Sequence, residues 1–221
     1  MNTTPPLLIT IDGPAGAGKT TVSKMLAREL GYRYLDTGAL YRGVAYEVRA
    51  AGIAADDDAG LERVCRSLKL EFQDNRLTSN GADISQLIRT PEITMLASAV
   101  SARPVVRQAL LDLQRDIGRA KALVAEGRDM GTVVFPDADL KFFLDASVRQ
   151  RARRRYEQYG AAGQQTLERI EQEIRQRDAN DSSRDVAPLK PADDAVIIDS
   201  TAIDAEQVVA KMMAQVAAII P

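Results

Sequence analysis

A glycine-rich segment near the start of the chain has the residue types that bind phosphate. Its sequence GPAGAGKT (Gly13–Thr20) fits the pattern G-x-x-x-x-G-K-[ST] in full. Glycines let the backbone curl so that N–H groups point at phosphate oxygens, and a following helix adds the positive end of its dipole. The Lys19 ammonium can reach the β- and γ-phosphates, and the Thr20 hydroxyl can ligate Mg²⁺. We therefore expect a nucleoside triphosphate to bind to Gly13, Pro14, Ala15, Gly16, Ala17, Gly18, Lys19, Thr20 and Thr21.

Short apolar segments alternate with helical patterns and supply the elements that must position this loop. Several of these segments are apolar throughout, as is typical of strands buried on both faces. Between the first two, Lys19–Leu30 has its apolar residues on one helical stripe. The alternation predicts an α/β fold with a mostly parallel five-stranded sheet flanked by helices. The predicted strands are Leu7–Ile11, Tyr32–Leu35, Ala122–Ala125, Leu140–Leu144 and Ala195–Ile198.

A long gap between the second and third predicted strands breaks the alternation. It contains a predicted hairpin, with strands Leu70–Phe72 and Arg76–Thr78 around Asp74-Asn75. The later part, Thr90–Arg119, predicts one or two helices interrupted at Arg103-Pro104. We interpret this part of the chain as an inserted lobe.

Composition excludes several kinds of chemistry. The chain has 221 residues and no histidine, so Ser-His-Asp and Cys-His catalysis and histidine metal ligands are ruled out. The single cysteine, Cys65, allows no internal disulfide and indicates a reducing compartment. A formal charge of −2 argues against extensive nucleic-acid binding. We expect neither a secretory signal nor a membrane span, and hence a cytoplasmic protein.

The other motifs favour a kinase over a GTPase or a hydrolytic ATPase. A GTPase needs an Asn-Lys-x-Asp guanine-binding motif, and the chain has no Asn-Lys pair. A hydrolytic ATPase usually has an apolar strand ending in Asp or Asp-Glu, whereas Leu123–Glu126 ends in a lone Glu. A kinase needs arginines to hold two phosphate groups and neutralise the transition state. The candidates are Arg42, Arg107, Arg128, Arg149, Arg151, Arg153, Arg154, Arg155, Arg177 and Arg184.

Each arginine candidate has an alternative interpretation. Arg42 and Arg107 have the pattern of ordinary surface residues of helices. Arg149–Arg155 contains five arginines in seven residues with no acid among them, which favours a phosphate-facing lid. A nucleic-acid patch is the alternative, although the only nearby aromatic residues are Tyr156 and Tyr159.

Five motifs follow one another along the chain. They are GPAGAGKTT, LDTGALYR (Leu35–Arg42), AEGRDMGTVVFPDA (Ala125–Ala138), RDANDSSRDVAPL (Arg177–Leu189) and IDST (Ile198–Thr201). In this order and spacing they make the chain resemble the bacterial cytidylate kinases, from about residue 7 to 201. The third motif is the most specific of the five.

The resemblance implies transfer of the γ-phosphoryl group of ATP to CMP or dCMP, with Mg²⁺ as cofactor. It also implies a single P-loop kinase domain, 1–221, with three parts. These are a core (about 1–59, 120–146 and 178–221), an inserted monophosphate-binding lobe (about 60–119) and a helical lid (about 147–177). The expected partners are ATP and CMP or dCMP, without nucleic acid or membrane, and the expected state is a monomer.

The resemblance also implies roles for individual residues. The catalytic set is Lys19, Arg128, Arg153, Arg154 and Arg177, with one of the two lid residues acting on the transferring group. The metal ligand is Thr20, and Asp36 is a candidate water-mediated contributor. The CMP-binding residues are Thr37, Arg42, Ser98, Arg107, Arg128, Asp129, Arg177, Asp181 and Arg184.

The expected base contact has a physical basis. A carboxylate such as Asp129 accepts from the exocyclic amino group of cytosine, whereas uracil presents a carbonyl oxygen there. A structural salt bridge of Asp129 to Arg128 is the alternative. Two functional alternatives also remain: a kinase of the shikimate or AMP type, and a regulatory or nucleic-acid-binding module that uses the arginine cluster.

Overall fold

The computed structural model describes residues 6–73, 76–159 and 165–220. The chain divides into two compact units. The first comprises Met1–Tyr34 with Ala120–Pro221, and the second is Leu35–Arg119. The predicted Asp74-Asn75 turn lies outside the described residues.

The regular elements follow in chain order. The strands are β1 (Leu8–Asp12), β2 (Arg33–Asp36), β3 (Leu70–Gln73), β4 (Arg76–Ser79), β5 (Ala82–Asp83), β6 (Leu123–Glu126), β7 (Leu140–Asp145) and β8 (Val196–Asp199). The helices are α1 (Lys19–Leu30), α2 (Thr37–Ala50), α3 (Asp58–Ser67), α4 (Pro91–Val100), α5 (Pro104–Gly118), α6 (Val148–Tyr159), α7 (Leu167–Ser182) and α8 (Ala205–Ile219). A 3₁₀ turn (Leu87–Arg89) and a π-helical turn (Met130–Val134) complete them.

A five-stranded sheet with the order β2-β6-β1-β7-β8 organises the first unit. The central strand β1 pairs in parallel with β6 and β7, and β7 pairs in parallel with β8. All five residues of β1 are buried, as its apolar sequence predicts for a strand covered on both faces. The predicted α/β class, the parallel sheet and its five strands are confirmed, with strand bounds shifted by one residue or less at most ends.

Helix α1 packs on this sheet through the apolar stripe that the sequence predicts. Val22 and Leu26 are buried in one cluster with Ile9 and Ile11 of β1, and α8 adds Met212 to the same core. The helix ends where Gly31 adopts a left-handed conformation, with φ of 66°, which is a common C-terminal stop. Packing on a central strand fixes the direction of α1 and therefore the position of the loop that precedes it.

The second unit combines a three-stranded antiparallel sheet, β3-β4-β5, with the helices α2 to α5. The predicted break at Arg103-Pro104 is confirmed, because Pro104 is the first residue of α5. Helix α3 begins after Asp57, whose carboxylate accepts from the Gly60 N–H. Buried leucines and isoleucines, among them Leu61 and Ile84, form the interior.

The π-helical turn is the one local structure in the described first unit that no sequence pattern predicts. Its residues follow β6 directly and include the Gly131 of the most specific motif. As for membranes, every helix in 6–73, 76–159 and 165–220 is too short or too polar to span one.

Candidate functional site

The glycine-rich loop connects β1 to α1, as predicted. A Cβ added at Gly13, where φ is +145°, would lie 2.0 Å from the Leu144 carbonyl oxygen, so only glycine fits against the neighbouring strand. Gly18 precedes α1 in a left-handed conformation and provides no side-chain cap. Within the described residues, the N-cap position therefore offers no side-chain acceptor to the first-turn N–H groups of α1, which favours anion binding.

Lys19 is buried within this loop. Its Nζ donates to the Gly13 and Pro14 carbonyl oxygens, both at 2.8 Å, and the residue is 7% exposed. Burial holds the pKa of Lys19 well below its usual 10.5, and the positive charges of Arg128 and Arg177 lower it further. The negative charge of Glu126 opposes this shift. The loop is thus electropositive, and a bound anion would favour the charged lysine.

Three arginines converge around one buried carboxylate. Arg128 Nε donates to Asp181 Oδ2 at 3.0 Å, and Arg184 donates to Asp181 Oδ1. Burial raises the pKa of Asp181, but the charges of Arg128, Arg184 and Arg177 together hold it below its usual value. The arrangement has more positive than negative charge, as a site for phosphate groups requires.

Helix α7 explains how these residues meet. Arg177 and Asp181 are one turn apart on one face, and Arg184 follows the helix end at Ser182. Asp181 is 1% exposed, and its carbonyl oxygen accepts from the Leu189 N–H at 2.8 Å, which turns the following chain back toward the helix. A helix and its C-terminal turn therefore supply three of the predicted site residues.

Asp129 is buried at the start of the π-helical turn, next to the carboxylate of Asp12. It is 2% exposed, and its carbonyl oxygen accepts from the N–H groups of Val133 and Val134. Asp12, the last residue of β1, accepts from the Met130 N–H at 2.9 Å and from the Gly131 N–H at 2.8 Å. The pKa of Asp12 is raised to about 6, chiefly by burial. The negative charge of Asp129 also raises this pKa, whereas the two backbone hydrogen bonds and the charge of Lys19 lower it.

The arginine cluster on α6 does not act as one surface. Arg151 is 4% exposed and donates to the Ala15 carbonyl oxygen at 3.1 Å and to both oxygens of Asp178. Arg154 donates to the Ala17 carbonyl oxygen at 3.0 Å, and Arg153 is exposed beside a cleft between α6 and α7. Of the two predicted lid residues, only Arg154 contacts the phosphate loop.

Thr20 and Thr21 begin α1 with exposed side chains. Among the described residues, no group of three acidic, histidine or cysteine side chains could hold a metal ion. Mg²⁺ commonly binds through one or two protein oxygens together with substrate phosphates and water. Thr20 is the hydroxyl in the sequence position for that contact.

Two of the predicted CMP-binding residues, Thr37 and Arg42, lie on α2 in the second unit. Asp36 caps the helix, its Oδ1 accepting from the Ala39 N–H at 2.9 Å, while Oδ2 accepts from Arg42 Nη2 at 2.8 Å. Thr37 is 2% exposed. The Arg42 Nε is buried without a hydrogen-bond partner in the described residues, so this guanidinium retains donor capacity. Asp36 thus uses both oxygens within the protein.

Arg107 and Ser98 lie in the same unit, on α5 and α4. Arg107 is 8% exposed, donates to the Ser101 carbonyl oxygen at 3.1 Å and lies 5.7 Å above the Tyr41 ring centre. Ser101 Oγ donates to the Ser98 carbonyl oxygen at 3.0 Å. The interpretation of Arg107 as an ordinary surface residue is wrong, because the residue is buried.

Several residues at the site had no predicted role. Asp12 ends a mostly apolar strand, and a charge in that position is a signal of a buried functional group. In the sequence, Glu126 is only the lone Glu that argues against a hydrolytic ATPase. It is 4% exposed and accepts from the Tyr34 hydroxyl. No sequence signal indicates that Asp178 or Ser200 meets an α6 arginine, since these pairs depend on tertiary packing.

Comparisons with known proteins show the family of this chain. The model of the cytidylate kinase family matches residues 9–218. Cytidylate kinases of Geobacter sp. (strain M21) and Geobacter sulfurreducens are 51% and 52% identical over 211 residues, which cover 93% of this chain and 91% of each relative. That of Ligilactobacillus salivarius is 48% identical over 212 residues, 94% of this chain and 95% of the relative.

Solved structures with much lower identity share the fold. A shikimate kinase from Acinetobacter baumannii in complex with shikimate has a TM-score of 0.51 at 18% identity, covering 97% of this chain and 95% of that one. A gluconokinase from Sinorhizobium meliloti has a TM-score of 0.51 at 15% identity, covering 97% and 94%.

Proposed function

Because this chain belongs to the cytidylate kinase family, we propose that it transfers the γ-phosphoryl group of ATP to CMP or dCMP, giving CDP or dCDP. The observation that supports this most strongly is the convergence of Arg128, Arg177 and Arg184 around Asp181, with Arg128 and Arg177 also close enough to Lys19 to lower its pKa. Two phosphate-bearing substrates bring many negative oxygens together, and such a cluster offsets their repulsion.

The donor binds at the loop between β1 and α1. Its phosphates accept from loop and first-turn N–H groups, and Lys19 pairs with the β- and γ-phosphates. Arg151 holds this loop from outside through the Ala15 carbonyl oxygen, so the loop is positioned before the donor arrives. Mg²⁺, held by Thr20 and phosphate oxygens, would supply charge neutralisation at the β- and γ-phosphates.

The acceptor phosphate is held by guanidinium groups. Arg128, Arg177 and Arg184 are the candidates in the first unit, and Arg42 is the candidate in the second. Each presents a planar fork that meets two phosphate oxygens at once. Arg154 is the preferred lid residue for the transferring group, since it already contacts the phosphate loop, whereas Arg153 is exposed.

Asp129 is proposed to select the base. Its buried carboxylate would accept from the cytosine amino group. Arg107 and Ser98 stay the residues of the second unit that the family resemblance assigns to the base. Uracil would place a carbonyl oxygen against the Asp129 carboxylate, and the two electron-rich oxygens would repel each other.

The transfer needs no general base. The second pKa of a phosphate monoester is about 6, so the acceptor is already anionic at neutral pH. A direct in-line transfer therefore suits a chain without histidine. Alignment and charge neutralisation by Lys19 and the arginines account for the rate.

A panel of acceptors tests this function. The protein is incubated with ATP and Mg²⁺ and with CMP, dCMP, UMP, AMP or shikimate, and the ADP formed is measured. Fast turnover with CMP or dCMP supports the proposal, and preference for AMP or shikimate would assign a different kinase. Salt-dependent RNA binding without phosphorylation would favour the regulatory alternative.

Three further expectations stay predictions. They are a monomeric state, a cytoplasmic location and the three-part division at about residues 60, 119, 147 and 177.

A further inference from the structure

A buried carboxylate at the end of the central strand has no part in the phosphoryl transfer described above. Asp12 is 4% exposed and ends β1, immediately before the phosphate loop. Its two oxygens are both used, Oδ1 by the Met130 N–H at 2.9 Å and Oδ2 by the Gly131 N–H at 2.8 Å. Burying a carboxylate is costly, so its presence at this point requires an explanation.

The two N–H donors belong to the residues that follow Arg128 and Asp129. The segment runs from β6 into a single π-helical turn, a structure that is rare in proteins. Asp129 has φ of −144° and no side-chain cap at the turn. The hydrogen bonds to Asp12 therefore hold the backbone next to Arg128, proposed to bind phosphate, and Asp129, proposed to recognise the base.

The surroundings of the turn leave little freedom once these bonds form. A Cβ added at Gly131 would lie 3.2 Å from both Lys141 Cδ and Thr10 Oγ1, so the turn packs closely on β1 and β7. Met130 is fully buried. Asp12 thus connects the strand that carries the phosphate loop to the strand end that carries the acceptor residues.

We propose that Asp12 is a positioning residue for acceptor recognition, which holds the Arg128–Asp129 segment in register with the phosphate loop through the Met130 and Gly131 N–H groups. This inference rests on the proposed function, because it assigns the two positioned side chains to CMP. It predicts that loss of the carboxylate affects the acceptor more than ATP.

Asp12→Asn tests this with nearly unchanged shape. The amide oxygen can accept one of the two bonds, but its NH₂ group faces the other N–H, so one donor is left unpaired. We expect the KM for CMP to rise and the preference for CMP over UMP to fall by about tenfold or more, with the KM for ATP within about twofold of wild type. A purely structural role would lower stability but leave the acceptor preference unchanged.

Thr10→Val is the matched control. Thr10 is a buried residue of the same strand beside Gly131, and its Oγ1 has no hydrogen-bond partner in the described residues. The substitution keeps the shape and removes no bond, so the acceptor preference should stay at the wild-type value. A loss of preference equal to that of Asp12→Asn would overturn the inference, because any change in this strand would then suffice.

Hydrogen exchange of the wild-type protein gives a test that does not depend on the variant folding. The Met130 and Gly131 amides should exchange only at the rate of global unfolding, and fast exchange at either would overturn the inference. The two proposals can fail separately. A wild-type protein that does not phosphorylate CMP contradicts the proposed function, whereas an active wild type with unchanged preference in Asp12→Asn contradicts only the role of Asp12.

Discussion

Arg128 Nε donates to Asp181 Oδ2 at 3.0 Å, although the two residues are 53 positions apart in the chain. Arg184 donates to the other oxygen of the same carboxylate. One buried acid therefore holds together guanidinium groups that would otherwise repel one another. The excess positive charge beside the phosphate loop is a property of the folded site, available before any substrate binds.

Asp181→Ala should remove both stability and activity. Two guanidinium groups would lose their shared buried partner, and breaking such a pair costs about 3 kcal/mol of the free energy of unfolding. The kcat/KM for CMP should fall by about a hundredfold, because the arginines would no longer be aligned. Urea unfolding and steady-state kinetics measure the two effects. The nearby exposed Asp185→Ala is the control, and equal effects at both positions would contradict the role of Asp181.

Lys19→Met should separate activity from stability. The kcat should fall by about a thousandfold, since the charge nearest the donor phosphates is lost. The free energy of unfolding should not fall, because burial already disfavours the charged form of Lys19 and lowers its pKa. Lys24→Met, at an exposed position of the same helix, should keep wild-type turnover. A Lys19→Met protein with near-normal kcat would refute the assignment of Lys19 to the donor.

The strands and the position of the glycine-rich loop could be predicted because their signals are local. The apolar run before Gly13, the helical stripe after Lys19 and Pro104 at a helix start each depend on neighbouring residues alone. Asp12 and Asp178 depend on contacts across many residues, so their partners could not be inferred. The π-helical turn has no periodicity of its own, and its Met130 and Gly131 N–H groups donate to Asp12, which is 118 and 119 positions away in the chain.

The arginine cluster shows the same limit more sharply. Five arginines in seven residues predict a phosphate-facing surface, but the helix distributes them around its circumference. Arg151 and Arg154 contact the loop, while Arg149 and Arg153 are exposed. Only the orientation of α6 on the first unit decides which arginine reaches the loop, and that orientation is a tertiary property.

Asp129→Ala should change which base is accepted more than how fast the reaction can run. The carboxylate that pairs with the cytosine amino group is lost, and with it the penalty against uracil. The ratio of kcat/KM for CMP to that for UMP should fall at least about tenfold. Steady-state rates on both acceptors measure this ratio. An unchanged ratio would show that Asp129 serves only as a structural ion-pair partner.

Asp12 should make stability depend on pH in a specific direction. Burial raises its pKa to about 6 from the ordinary 3.8, with Asp129 and Lys19 as the charged groups that face it. Between these values the folded protein binds more protons than the unfolded chain, so this group's contribution to stability falls as the pH rises from about 4 to about 6. A pKa difference of about 2 corresponds to about 3 kcal/mol.

The comparison with Asp12→Asn isolates this contribution from those of other carboxylates. The free energy of unfolding of the wild type minus that of the variant should decrease by up to about 3 kcal/mol between pH 4 and 6 and then level off. Urea titrations at several pH values provide the measurement. A difference that stays constant, or that increases with pH, would contradict the buried environment assigned to Asp12.

The most direct measurement of the central claim is the amount of CDP formed per ATP consumed, with CMP as acceptor and the products separated and quantified. Direct transfer in a site built from the phosphate loop and the Asp181 arginines predicts one CDP for each ADP in the wild type, and loss of both products together in Lys19→Met. ADP released without CDP, or CDP formation that survives the loss of Lys19, would contradict it.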